Sequence, residues 1–168
     1  MDEIVNKIAQ SGLITIDPEE YYPKGEIAVL DIKQWLFEEL ILKEKLFREH
    51  IANHDWSMYN GKHVAVNCST DAIIPTWAYM LVGSKLTGLA ASVYFGSRDQ
   101  LIEHLLLESV AKLDAGVFTG QRVVVKGCSD RAIPASFYMA LTARLQPVVK
   151  SVMYGEACST VPVFKRKE

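Results

Sequence analysis

The sequence has few cysteines, no long apolar run and no excess of one charge. Three cysteines in 168 residues cannot all pair, so a disulfide framework is not expected. No stretch approaches the roughly eighteen uninterrupted apolar residues of a membrane span. Eighteen basic against twenty acidic residues give a net charge of −2, which argues against a nucleic-acid-binding protein that depends on phosphate attraction. We therefore expect neither a membrane nor a nucleic acid as partner.

The N-terminal segment "MDEIVNKIAQSG" lacks the basic region and the apolar core of a signal peptide, so a cytoplasmic location is expected. The chain is 49% hydrophobic and 23% charged, as in globular proteins. We expect one α/β domain over 1–168. It would comprise an N-terminal arm (1–25), two repeated halves (26–91 and 92–155) and a C-terminal tail (156–168).

An internal repeat dominates the sequence. Residues 61–96 align without gaps to 120–155, and twelve of the 36 positions are identical. About two identities would be expected by chance. Each copy has a short β-branched run, a polar turn, a proline and then helical spacing of apolar residues.

The same pattern predicts the fold. An upstream segment adds a strand and a long helix over 33–53. The predicted strands lie near 27–31, 63–67, 92–95, 121–126 and 151–154. Strands that alternate with helices form parallel βαβ units with helices on both faces of a sheet. We therefore predict a three-layer α/β fold, Rossmann-like or flavodoxin-like, whose mainly parallel five-stranded sheet arises from a βαβα duplication.

All three cysteines follow predicted strands. Cys68, Cys128 and Cys158 come after the second, fourth and fifth strands, and parallel strands end at one edge of a sheet. The sequence therefore predicts a three-cysteine metal site at the carboxyl edge, with an open fourth position. Thiolates suit zinc, iron or an iron–sulfur cluster, and nothing in the sequence selects among them. No nucleotide-binding motif is present.

Other residues could assist such a site. Asp71, Asp130 and Glu156 are further candidate ligands at the same edge, although the two aspartates are equally suited to cap helices. The serines that follow the cysteines could donate hydrogen bonds to thiolates: Ser69, Ser129 and Ser159.

Two other interpretations stay open. Cys68 and Cys128 precede helix N-termini, and Arg131 lies close by, so an enzyme or redox protein could use an activated thiolate. Alternatively the cysteines only pack, and the chain is a structural or interaction module. The aromatic arm "EEYYPKG" would then build the interface of a homodimer.

Several phrases carry a resemblance over nearly the full length: "LITID", "NHDW", "DAIIPTWAYML", "KGCSD", "SVMYGEACSTVP" and "FKRK". The chain resembles a bacterial family known as domain-of-unknown-function family 2480. Genes of this family tend to lie beside iron–sulfur cluster assembly genes, so the resemblance implies iron or cluster handling, with iron–sulfur assembly proteins as partners. It also gives weight to "NHDW", which adds His54 as a candidate ligand, although spacing alone places His54 at the opposite edge.

Overall fold

The structure is a computed structural model that describes residues 12–156 and 158–167. Within those residues it is a mixed α/β protein, as the sequence predicts. The strands are β1 (Leu13–Ile16), β2 (Ile27–Asp31), β3 (His63–Asn67), β4 (Ser92–Phe95), β5 (Arg122–Val125), β6 (Ser151–Glu156) and β7 (Ser159–Lys165). The helices are α1 (Glu44–Asn53), α2 (Thr76–Leu86), α3 (Arg98–Lys112) and α4 (Ala135–Leu145). Short 3₁₀ helices cover Pro18–Tyr21, Ile32–Trp35, Trp56–Tyr59 and Ala115–Phe118.

The chain forms two compact units. The central unit is Lys24–Ile102, and the terminal unit combines Met1–Pro23 with Glu103–Glu168. The central unit contains a parallel sheet in the order β2-β3-β4. The terminal unit contains the order β1-β5-β6-β7, in which β7 alone is antiparallel.

The predicted single sheet of five mainly parallel strands is therefore wrong. The described residues form two sheets, of three and four strands, and strands outside the two predicted repeated halves complete the second one. β1 lies in the predicted arm and pairs with β5, with Ile16 opposite Val125. β7 lies in the predicted tail and pairs with β6. Sequence patterns identified strands, but the partner of each strand depends on contacts distant in sequence.

The two units repeat each other with a spacing of 59 residues. In α2 and α4 every fourth residue is buried, which gives each helix one apolar face toward its sheet. These buried residues are Ala78, Val82 and Leu86 in α2, and Phe137, Leu141 and Leu145 in α4. The spacing holds upstream of the repeat found in the sequence, where five of the seventeen positions 44–60 are identical to their counterparts: Glu44/Glu103, Leu46/Leu105, Glu49/Glu108, Ala52/Ala111 and Asp55/Asp114. Helices α1 and α3 are thus also equivalent.

The predicted helix over 33–53 is wrong in its first eleven residues. Asp31 accepts a hydrogen bond from the Lys33 amide at 3.0 Å and begins a 3₁₀ helix there. Glu38 and Glu39 then have φ values of 49° and 57°, a left-handed conformation that an α-helix cannot contain. The α-helix starts only at Glu44.

The predicted capping by Asp71 and Asp130 is also wrong. The N-cap residues of α2 and α4 are Pro75 and Pro134, and neither helix has a side-chain cap hydrogen bond. An extended proline fixes the entry into each helix instead. Both aspartates lie in the preceding loops and are exposed.

Candidate functional site

The carboxyl edge of the terminal sheet carries an ion pair. Asp17 follows β1 and Lys126 follows β5, and their side chains meet at 2.8 Å. The hydrogen bond from Lys126 and one from the Glu19 amide lower the pKa of Asp17. The same bond raises the pKa of Lys126, so both groups are charged near neutrality. The pair joins two adjacent strands where they end.

Glu19 holds the loop that follows β5. Its Oε1 atom accepts hydrogen bonds from the Ser129 hydroxyl at 2.8 Å and from the Asp130 amide at 2.5 Å. The bonds to Ser129 and Asp130 lower the pKa of Glu19. Ser129 therefore donates to a carboxylate, and the loop carrying Cys128 is fixed on both sides of Gly127 and Cys128 by Lys126 and Ser129.

Two of the three cysteines share this edge. Cys128 follows β5 and Cys158 lies in the turn between β6 and β7; both are exposed and neither is in a disulfide. β5 and β6 are adjacent and parallel, with Val125 opposite Tyr154, so both thiols follow the ends of neighbouring strands. Ser159 begins β7 and is exposed.

Cys68 has a different environment, in the central unit. It is half-buried, packs against the central core and donates a weak hydrogen bond from Sγ to the Thr70 carbonyl at 3.7 Å. Asp31 ends β2, which pairs with β3 as β1 pairs with β5, so it is the structural counterpart of Asp17. It accepts a hydrogen bond from the Ser69 amide at 3.1 Å. Burial opposes ionisation of Asp31, but the bonds from Ser69 and Lys33 outweigh it and lower its pKa.

The carboxyl edges of the terminal and central sheets differ at the residue that follows β5 in one and ends β3 in the other. Lys126 in the terminal unit corresponds to Asn67 in the central unit, so the ion pair has no counterpart there. The Oδ1 atom of Asn67 is buried and accepts no hydrogen bond. Glu156, at the end of β6, likewise has a buried Oε1 atom without a hydrogen-bond partner, and its charge contributes to the raised pKa of Lys126.

An apolar groove of about 760 Å³ lies in the terminal unit between α4, β6 and β7. Its lining includes Tyr138, Met139, Met153, Tyr154 and Val163. The rings of Tyr138 and Tyr154 are 5.6 Å apart, and burial, the largest cause, together with the nearby Tyr154, Asp17 and Cys128, raises the pKa of Tyr138.

Tyr154, which lines the groove, lies against the loop that carries Cys128. A Cβ atom at Gly127 would come within 2.8 Å of the Tyr154 ring, so the glycine lets the tyrosine lie against this loop. Through Tyr154 the apolar groove therefore borders the loop that carries Cys128.

His54 lies in an aromatic cluster of the central unit. Its ring centre is 5.0 Å from that of Trp35 and 4.9 Å from that of Trp56, and its Nε2 atom shares a hydrogen bond with the Tyr59 hydroxyl at 3.3 Å. Burial lowers the pKa of His54. This environment favours a neutral, packed imidazole.

Across residues 12–156 and 158–167, no three His, Cys, Asp or Glu side chains are grouped so that they could hold a metal ion. The same residues contain no helix long and apolar enough to cross a membrane.

Comparison with the sequence profiles of known families assigns the chain to one family. The sequence profile of the DUF2480 family, described as "Protein of unknown function", matches residues 2–166. The chain belongs to the DUF2480 family. No curated protein and no solved structure matches it. The resemblance noted from sequence phrases is confirmed at the level of the family, and family membership assigns no residue a role.

Sequence reasoning missed part of this edge in the DUF2480 chain. Asp17, Glu19 and their partner Lys126 lie outside the predicted site, because the sequence pattern predicts 1–25 as an arm outside the sheet. The Tyr138–Tyr154 pair also lies outside it, because this contact joins a helix to a strand and no local pattern records it. A signal was present: "ITID" and "AVLD" both end an apolar run on an aspartate, and each aspartate begins a 3₁₀ helix.

Proposed function

We propose that this protein binds a thiophilic metal ion, zinc or iron, at the carboxyl edge of the terminal sheet, with Cys128 and Cys158 as its principal ligands. The observation that carries the proposal is the position of two exposed, unpaired thiols after neighbouring parallel strands. Thiolates are the ligands that zinc and iron prefer in proteins. Two cysteines among only three in the chain therefore lie where an ion could be shared.

The third ligand of the proposed site is Glu156. Its buried Oε1 atom lacks a hydrogen-bond partner, and a carboxylate oxygen can complete a zinc or iron site. Sulfur atoms on one tetrahedral ion must come to about 3.7 Å from each other, so the β6–β7 turn closes toward the fixed loop of Cys128 when the ion binds. A fourth position is left for water or for a ligand from another protein.

An exposed site with an exchangeable position suits an accessory protein that accepts an ion and passes it on. If the ion is iron, or if an iron–sulfur cluster binds, iron–sulfur assembly proteins are the corresponding partners. The three-cysteine site predicted from the sequence would also require Cys68, which lies in the central unit. Its packing against the central core favours the form with two cysteines and Glu156.

Elemental analysis of protein purified anaerobically without chelator tests the proposal. We expect close to one zinc or iron per chain in the unaltered protein. Cys128→Ser and Cys158→Ser should each lose most of the metal, and Glu156→Gln should weaken its retention against a chelator. Cys68→Ser is the matched control and should keep the metal. Metal-free fresh protein would refute the proposal, and loss of metal in Cys68→Ser, with the fold intact by circular dichroism, would contradict a site made of Cys128, Cys158 and Glu156.

A second candidate, an enzyme or redox protein that uses the Cys128 thiolate, is favoured by the groove. A substrate with an apolar body lying along Tyr138 and Tyr154 would place its polar end near Cys128. The guanidinium of Arg131 lies over the Tyr22 ring, 4.3 Å from its centre, and adds positive charge to the same loop.

Alkylation with iodoacetamide at graded pH separates the two candidates. An activated Cys128 should react well below pH 8.5, about the reference pKa of a thiol. In metal-free Cys68→Ser/Cys158→Ser protein, a reaction midpoint near pH 8.5 would refute the thiolate candidate.

A further inference from the structure

The internal repeat shows which surface of the central unit is incomplete. β4 and β6 are equivalent strands at a spacing of 59 residues. In the terminal sheet β6 lies between β5 and the antiparallel strand β7, whereas in the central sheet the order of described strands ends at β4. A strand in this structural position therefore binds an antiparallel strand in one unit, and the described part of the central sheet supplies none.

The exposure of equivalent side chains differs between the strand that pairs with β7 and the strand that does not. Val152 on β6 is opposite Phe164 of β7 and is 1% exposed. Its counterpart Val93 on β4 is 41% exposed, and Phe95 on the same strand is 67% exposed. The valine that has a β7 residue opposite it is thus about 40 percentage points less exposed than its counterpart on β4.

The apolar surface extends beyond the strand. Met80 on α2 is 70% exposed and Ile73 in the preceding loop is 95% exposed. The ring of Phe95 is 4.9 Å from that of Tyr79 on α2, and the counterparts of Ile74, Met80, Val93 and Phe95 all line the groove of the terminal unit. The exposed apolar residues here, Ile73, Met80, Val93 and Phe95, are called the β4 patch and expose on the order of 500 Å² of side-chain surface. Patches of this size on soluble proteins commonly mark interaction sites.

β4 also lacks the features that keep edge strands apart. Proteins protect such edges with lysine, proline or a bulge. The terminal edge strand β7 has Pro162 and Lys165, and its pairing with β6 contains a register shift. The sequence of β4, "SVYF", has no proline, no charge and no such irregularity.

We propose that β4 forms an antiparallel pair with β4 of a second copy of this chain, so that the two central sheets join as β2-β3-β4-β4-β3-β2 across a two-fold axis. A two-fold contact brings the same surface from both copies together, and a patch without charge meets no like charge in its own copy. Two copies would cover on the order of 1,000 Å² of side-chain surface, the lower limit for a specific interface, and the strand backbones add to it.

Sedimentation equilibrium of the full chain tests the interface, over roughly a hundredfold range of protein concentration. The unaltered protein should have the mass of a dimer. Phe95→Lys should weaken dimerisation at least tenfold, since a buried charge replaces an aromatic anchor. The matched control is Met139→Lys, which changes the counterpart of Met80 on α4 and should leave the dimer intact.

Hydrogen exchange distinguishes other occupants of the edge. Amides of β4 should exchange slowly at high protein concentration and faster in Phe95→Lys, while far-ultraviolet circular dichroism stays unchanged. A monomer at all concentrations would overturn the proposal, whether its β4 amides exchange fast or are protected by another part of the same chain. A dimer that Phe95→Lys does not weaken would overturn it as well. Metal content is a separate readout, so this outcome does not depend on the proposed thiol site.

Discussion

Leu86 and Leu145 provide a direct test of the duplication. They are the last buried residues of the equivalent helices α2 and α4, and both are fully buried. Leu→Ala removes three buried carbon atoms, which costs about 2.4 kcal/mol of transfer free energy at 0.8 kcal/mol per group. A residual cavity of about 50 Å³ adds roughly 1 kcal/mol. We therefore expect each substitution to lower the free energy of unfolding by about 3–4 kcal/mol.

Urea denaturation followed by circular dichroism measures these losses. The two variants should agree within about 1 kcal/mol, because equivalent positions have similar environments. Met139→Ala is the control, since this methionine of α4 is exposed and lies outside the β4 patch, and it should change stability by less than about 0.5 kcal/mol. A loss below 1 kcal/mol in either leucine variant would refute the assigned core.

Three further predictions concern charged and titrating groups. Because the folded pKa of Asp17 lies below its unfolded value, its contribution to stability is present above about pH 4 and is lost as the pH falls through the folded value. Asp17→Asn should therefore flatten the acid side of the stability profile measured by urea titration at each pH, and an unchanged slope would contradict the ion pair. Burial lowers the pKa of His54 in the folded protein. The contribution of His54 to stability is therefore fully present above about pH 6.5 and is lost as the pH falls toward the pKa of the folded state. Nuclear magnetic resonance titration should place the His54 midpoint below 6.5, and a midpoint above 7 would exclude the packed neutral ring. Glu19→Gln weakens the bonds to Ser129 and the Asp130 amide, so this amide should exchange several-fold faster by mass spectrometry while β5 is unaffected. Equal exchange in both proteins would show that Glu19 does not hold the loop.

Much of the local structure could be predicted from the sequence. β-branched runs identified β3 and β5, and apolar spacing identified α2 and α4, because those signals depend on neighbouring residues. The spacing of the repeat was correct from residue 61 onward. Its upstream part was missed because buried positions such as Phe47 and Leu106 are equivalent without being identical.

The pairing of strands could not be predicted in the same way. β1 pairs with β5 across more than a hundred residues, and no local pattern records that contact. β7 lies in the predicted tail, and it contains Pro162, which is compatible with an edge strand but weakens a strand pattern in the sequence. The Asp17–Lys126 ion pair depends on the same long-range pairing. The cysteines could be placed after strands, but the division of those strands between two sheets could not be foreseen.

The terminal unit is formed from two segments that are separated in the sequence by the central unit, and this affects the order of folding during synthesis. All of Lys24–Ile102 is synthesised, and emerges from the ribosome, ahead of β5, so β1 must wait for its partner while the central sheet can begin to fold. At about 5–20 residues per second this delay lasts on the order of 5–20 s, far longer than the folding of a small α/β unit. The nascent chain should therefore acquire protease resistance in its middle before its ends.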